Sequence, residues 1–90
     1  MKELLERTVV VKGLRIGRVI DVILDSEGRG VIGFEVRCDD GRHRFLPDAA
    51  ATRGDSAIEI TTPLALLDAE QLAFYRRRGV TLRTREEPAA

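Results

Sequence analysis

Val31-Ile32-Gly33-Phe34-Glu35-Val36-Arg37-Cys38 decides the fold. Ile32, Phe34, Val36 and Cys38 fall on one side of an extended chain, and Gly33, Glu35 and Arg37 on the other. Period two sustained over eight residues predicts a strand in a sheet with one dry and one wet face. Asp39-Asp40-Gly41 follows as a hairpin signal. The returning strand, Arg42 to Leu46, sets His43 and Phe45 on one side and Arg42 and Arg44 on the other. Pro47 ends it, because proline has no N–H to give a ladder.

Upstream, Thr8 to Val11 is a β-branched run stopped by Gly13, a first short strand. Arg15 to Leu24 is the longest strand, and its apolar alternation slips near Ile20-Asp21, which predicts a bulge. Asp25-Ser26-Glu27-Gly28-Arg29-Gly30 is a turn cluster. Downstream, Asp48 to Thr52 predicts one helical turn, and Ala57 to Thr61 alternates again as a fifth strand, with Ile58 and Ile60 inward. Past Pro63 the period changes to that of a helix. Asp68 is its N-cap, Gln71 completes a capping-box pattern, and Leu67 and Leu72 stand at the positions of a hydrophobic staple. The helix is predicted over 68–78, with Gly79 as a left-handed stop and Val80 to Leu82 as a last short strand. Short strands at close spacing, with edges that must be hidden, predict a small closed six-stranded antiparallel barrel carrying one C-terminal helix. Residues 1–8 read as a lead-in, 9–84 as one domain, and 85–90 as a loose tail.

Composition narrows the function classes. At 90 residues, with 43 % hydrophobic and 33 % charged residues, the chain has a globular rather than a disordered balance. Fifteen basic and fifteen acidic residues cancel, which argues against a general polyanion binder. The single cysteine, Cys38, has no partner for an internal disulfide, so a reducing, cytoplasmic setting is expected. No apolar run reaches the ~20 residues of a membrane helix, and the acidic start does not read as a signal peptide.

The stretch from Gly13 through Gly17-Arg18-Val19-Ile20-Asp21-Val22 to Asp25, then Gly28 and Val31-Ile32-Gly33-Phe34, resembles the PRC-barrel family. So do Phe45-Leu46-Pro47, the alanine-rich turn after it, and Ala57-Ile58-Glu59-Ile60. Members of that family often carry an aromatic residue just after the proline, and Asp48 stands there in this chain. The resemblance implies a small six-stranded β-barrel without enzymatic activity. It also implies docking onto another macromolecule, as in the photosynthetic reaction-centre H subunit and a small-subunit ribosome-maturation factor.

Chemistry-bearing residues are few. Cys38 and His43 lie on neighbouring strands and form a conceivable nucleophile–base pair, but a thiol on an apolar face behaves as a small hydrophobe. Asp21, Asp25 and Glu27 lack the further ligands of a calcium loop, and Asp25 is expected to serve turn N–H groups instead. Zinc spacing is absent, Gly28-Arg29-Gly30 is too short for a phosphate loop, and no catalytic residue, metal, cofactor or small-molecule substrate is expected. Arg76, Arg77, Arg78, Arg83 and Arg85 form the one basic cluster and carry the alternative reading, a ribosome- or RNA-associated accessory domain. Against that reading, arginines at a helix C-terminus also favourably oppose its partial negative charge, and aromatic residues for base stacking make up only 4 % of the chain.

Turned at 100° per residue, Ala69, Leu72, Ala73 and Tyr75 share the arc expected to lie on the barrel, with Arg76 snorkelling from it. Phe74 points the other way, between Glu70 and Arg78. Either the Leu64-Ala65-Leu66-Leu67 segment or the tail covers it, or it anchors a second subunit. The expectation is a non-enzymatic adaptor, self-associating as a homodimer. Leu64, Leu66 and Phe74 are its apolar anchors, with Arg77 and Arg78 setting register.

Overall fold

Residues 2–83 are described by the computed structural model. After a 3₁₀ turn at Lys2–Leu4 come strands β1 (Thr8–Val11), β2 (Leu14–Leu24), β3 (Val31–Cys38) and β4 (His43–Pro47). A 3₁₀ turn at Asp48–Ala50, β5 (Thr52–Arg53), β6 (Ala57–Ile60) and a 3₁₀ turn at Pro63–Ala65 follow. Helix α1 (Ala69–Arg78) and β7 (Val80–Thr81) end the described elements. Residues 84–90, and with them the expected loose tail and Arg85, lie outside the described residues.

All seven strands join one curled sheet in the order β4-β3-β2-β1-β6-β5, with β7 on β2. The long β2 organises it. One edge takes β3 along most of its length, while the other takes β1 on Leu14 to Arg18 and β7 on Ile23 and Leu24. The register of β2 on β3 slips between Val19 and Asp21, so Ile20 is the bulge that the broken alternation indicates. Lys12 and Gly13, at φ 49° and 82°, form the two-residue primed turn between β1 and β2.

The sheet is mixed, not antiparallel throughout, because β1 and β6 run parallel. Strand β1 occupies only half of β2, and its own far edge needs a partner. The chain supplies one after it has passed around the curl, arriving in the direction of β1. A parallel pair needs a long crossover of this kind, which local pattern cannot announce. Thr52, expected as the end of a helical turn, instead joins Arg53 in a seventh strand paired with Glu59 and Ile58. Among the described residues no ladder joins β4 to β5, so the sheet is a half-barrel rather than a closed cylinder.

Two cores lie on the two faces of this sheet. Inside the curl, Val9, Val19, Val22, Leu24, Phe34, Val36, Leu46 and Ile58 are fully buried. Outside it, Ile23, Phe45 and Leu72 form a second cluster with Ile32, Leu67 and Tyr75 under α1. Gly33 makes that outer core possible: a Cβ at this position would collide with the Phe45 ring and stand 2.6 Å from the Leu46 carbonyl oxygen. The expected wet face of β3 is therefore dry over Gly33 and Glu35 and exposed only at Arg37. No helix among the described residues is long and apolar enough to cross a membrane.

Candidate interaction surface

Helix α1 is fastened at both ends. Before it, Leu67 and Phe45 exchange backbone hydrogen bonds of 2.9 and 2.8 Å, tying the lead-in to β4. Asp68 caps it, its Oδ1 accepting the Gln71 N–H at 3.1 Å, and Leu67 and Leu72 meet in the outer core as a staple. At its end Gly79 is not left-handed but extended, with φ −108° and ψ −170°. A Cβ there would strike the Leu24 carbonyl oxygen and lie 3.0 Å from Ile23 Cγ2. Glycine is needed for this close approach, which lets the chain pass straight into β7.

The inner face of α1 is narrower than the sequence suggests. Leu72 is buried, and the Tyr75 ring stacks on Phe45 with centroids 4.3 Å apart and planes 11° from parallel. Ala69 and Ala73, expected on this arc, are exposed, because a ten-residue helix on a rounded sheet touches it along a thin stripe. Arg76 does not simply snorkel into water. Its guanidinium reaches back to Glu35, which is 4 % exposed, and His43 Nδ1 meets the other Glu35 oxygen at 2.7 Å. A buried carboxylate thus ties the helix to β3 and β4. Sequence reasoning placed Glu35 on a solvated face and missed this role. The usable signal was the hairpin register, which sets Glu35 opposite Phe45, the residue the helix covers.

The outer face of α1 carries Phe74. The residue is 38 % exposed, and its ring stands edge-on to Tyr75 at 5.1 Å and lies under the Arg78 guanidinium at 4.7 Å from its centroid. Glu70, Gln71, Ala73, Phe74 and Arg77 line one shallow depression along the helix. The Leu64 to Leu67 segment does not fold over it. Leu67 goes to β4, while Leu64 and Leu66 border a separate depression of about 530 Å³ with Ile16, Cys38 and Pro63. At the rim of that second depression Arg44 grips Asp40 with two bonds of 3.0 and 3.2 Å, and Arg15 stands 3.5 Å from Asp39. Arg44, with the Arg42 N–H, holds the Asp40 carboxyl below its ordinary range. Leu64 is 86 % exposed, whereas Leu66 is half-buried against the inner core. The five expected contact residues thus fall on two patches, and Leu14, 73 % exposed, is a further apolar side chain the sequence did not single out.

The other constellations resolve differently. Cys38 belongs to the inner core while His43 turns to Glu35 on the outer face, so the sheet separates them and no Cys–His pair forms. Asp25 accepts the N–H groups of Glu27, Arg29 and Gly30, each at 3.0 Å, and this satisfies the turn as expected. These bonds, that of Arg29 foremost, hold its carboxyl below the ordinary range. Asp21 accepts from Val22 and Arg83 backbone N–H groups at 2.9 and 3.0 Å, tying the segment after β7 to β2. Among the described residues no three His, Cys, Asp or Glu side chains gather to hold a metal. The basic cluster is divided: Arg76 serves Glu35, and Arg83 serves the Ile20 carbonyl and Glu6. Comparison with family models, with curated proteins and with solved structures finds no match to this chain.

Proposed function

We propose that this chain is a non-enzymatic interaction domain that docks onto protein through the outer face of α1, and that it self-associates. The observation that carries the reading is the division of the helix. Leu72, Tyr75 and Arg76 consume its inner face, yet Phe74 stays out in a depression with ionisable residues on both sides. A phenyl ring beside arginines is the composition of an interface centre rather than of ordinary solvated surface.

The fold reading belongs to the same proposal. The half-barrel is a PRC-type barrel whose β5 end turns toward β3 without completing a ladder. Arg53 on β5 supports this, with its guanidinium 5.8 Å from the Phe34 ring of β3. The buried thiol of Cys38 suits a reducing, cytoplasmic setting. An RNA-binding role has less support, since Arg76 and Arg83 are engaged within the domain.

Light scattering coupled to size exclusion tests the reading. The wild type is expected above the 10.0 kDa of one chain, and Phe74→Asp close to it, with unchanged far-UV circular dichroism. Two symmetric ring losses weaken association by roughly a hundredfold. A wild type that elutes as a single chain at high micromolar concentration removes self-association. Retention of structured RNA at low salt, lost as salt rises, would favour the nucleic-acid role instead.

A further inference from the structure

We infer that α1 pairs with α1 of a second copy of this chain, antiparallel, about a two-fold axis passing between Ala73 and Phe74. This rests on the self-association proposed above and adds its geometry. Glu70, Ala73, Phe74 and Arg77 are spaced as i, i+3, i+4 and i+7, so they form one stripe along the helix, and they line the same depression. The stripe is acidic at its first turn and basic at its last. Neither the Glu70 nor the Arg77 side chain has a partner among the described residues.

This pattern selects both the occupant and its direction. A parallel copy would set Glu70 against Glu70 and Arg77 against Arg77, with the two helix dipoles aligned. An antiparallel copy sets Glu70 against Arg77 of the second copy twice over and opposes the dipoles. The same operation lays each Phe74 ring against the Ala73 methyl of the other chain. A large side chain thereby faces a small one, as helices packing at about 8–10 Å require. The charge order of the stripe is thus complementary to its own two-fold copy. A ten-residue helix is only about 15 Å long, so the contact is small and its dissociation constant is expected in the micromolar range.

Charge exchange tests the register. Glu70→Arg places arginine against arginine at both symmetric contacts, and Arg77→Glu places glutamate against glutamate. Each single variant should dissociate roughly tenfold more readily than the wild type in sedimentation velocity. An equimolar mixture of the two variants regains opposite charges at both contacts and should recover the mass of a pair. Circular dichroism confirms that α1 persists in each variant. Single variants that associate like the wild type, or a mixture that stays dissociated, overturn the register. If the wild type associates and Phe74→Asp abolishes it under those outcomes, the face is right and only its geometry fails. A wild type that is monomeric up to about 0.5 mM removes both this register and self-association.

Discussion

Replacing Arg76 by methionine isolates what fastens the helix. The apolar stem is kept and the guanidinium removed, so Glu35, 4 % exposed in the intact domain, keeps His43 as its one side-chain partner among the described residues. Stranding a charge by breaking a fully buried pair costs ~3–5 kcal/mol. The Arg76 side chain is 44 % exposed, which admits water to that side of the carboxylate, so about 2 kcal/mol is expected here. In a domain of this size that lowers the melting temperature by roughly 8–16 °C. The reverse change, Glu35→Leu, should cost less. The freed guanidinium swings into solvent, and leucine opposite Phe45 in the ladder remains in apolar company. The double variant Arg76→Met/Glu35→Leu should return to within ~1 kcal/mol of the wild type, giving a coupling of at least ~1 kcal/mol. Urea denaturation of the four proteins reads these values directly. Equal costs for Arg76→Met in the presence and absence of Glu35 would refute the argument that this pair holds the helix to the sheet.

Gly33→Ala should destabilise by ~2–4 kcal/mol in thermal melts, because its methyl meets the Phe45 ring and the Leu46 carbonyl; Gly41→Ala meets open space and should cost only the ~1–2 kcal/mol of its positive φ. Asp25 gives an acid-sensitive contribution: its folded carboxyl sits below the ordinary 3.8, so stability is present above that value and lost as pH falls through the lower folded one. Urea midpoints between about pH 2 and 5 should fall less steeply for Asp25→Asn than for the wild type, and parallel curves would show that the turn N–H groups do not favour the charged form.

Local signals in the sequence identify most elements correctly. Alternation in β3 from Phe34 to Cys38 (Ile32, at a register slip, turns to the outer core instead), the Asp39-Asp40-Gly41 hairpin, the slip at Ile20 and the Asp68 cap each report a bond or a packing contact made within a few residues. What local pattern misses is set by distant chain. The parallel β1–β6 pair depends on how far the sheet curls, and β5 is too short and polar to leave a periodic trace. Gly79 does cap the helix, its N–H reaching the Tyr75 carbonyl, but in extended rather than left-handed backbone. What requires glycine there is the Leu24 carbonyl, more than fifty positions earlier in the chain. Of the expected contact residues, Leu64 and Phe74 are exposed and Leu66 is half-buried, but their division between two patches depends on Leu67 turning to β4.

The edges of the sheet bear on how a partner can bind. An open half-barrel ordinarily offers two unpaired strand edges, and strand addition to such an edge is a common mode of recognition. Here β4 has the N–H and C=O of Phe45 occupied by Leu67 and ends at Pro47, which has no donor. The other edge, β5, is two residues long, and Arg53 is held by Asp48 at 2.9 Å. Neither edge presents the run of free backbone groups that an added strand needs. The protein partner proposed above would therefore be recognised through side chains, and those that lie together along a rigid element are on the outer stripe of α1. That stripe can bear a load only because Tyr75, Leu72 and the Arg76–Glu35 pair fix the helix beneath it. Loss of the inner pair should accordingly weaken association as well as stability, whereas loss of Phe74, which touches only Tyr75 and Arg78 of its own helix among the ring contacts, should weaken association far more than stability.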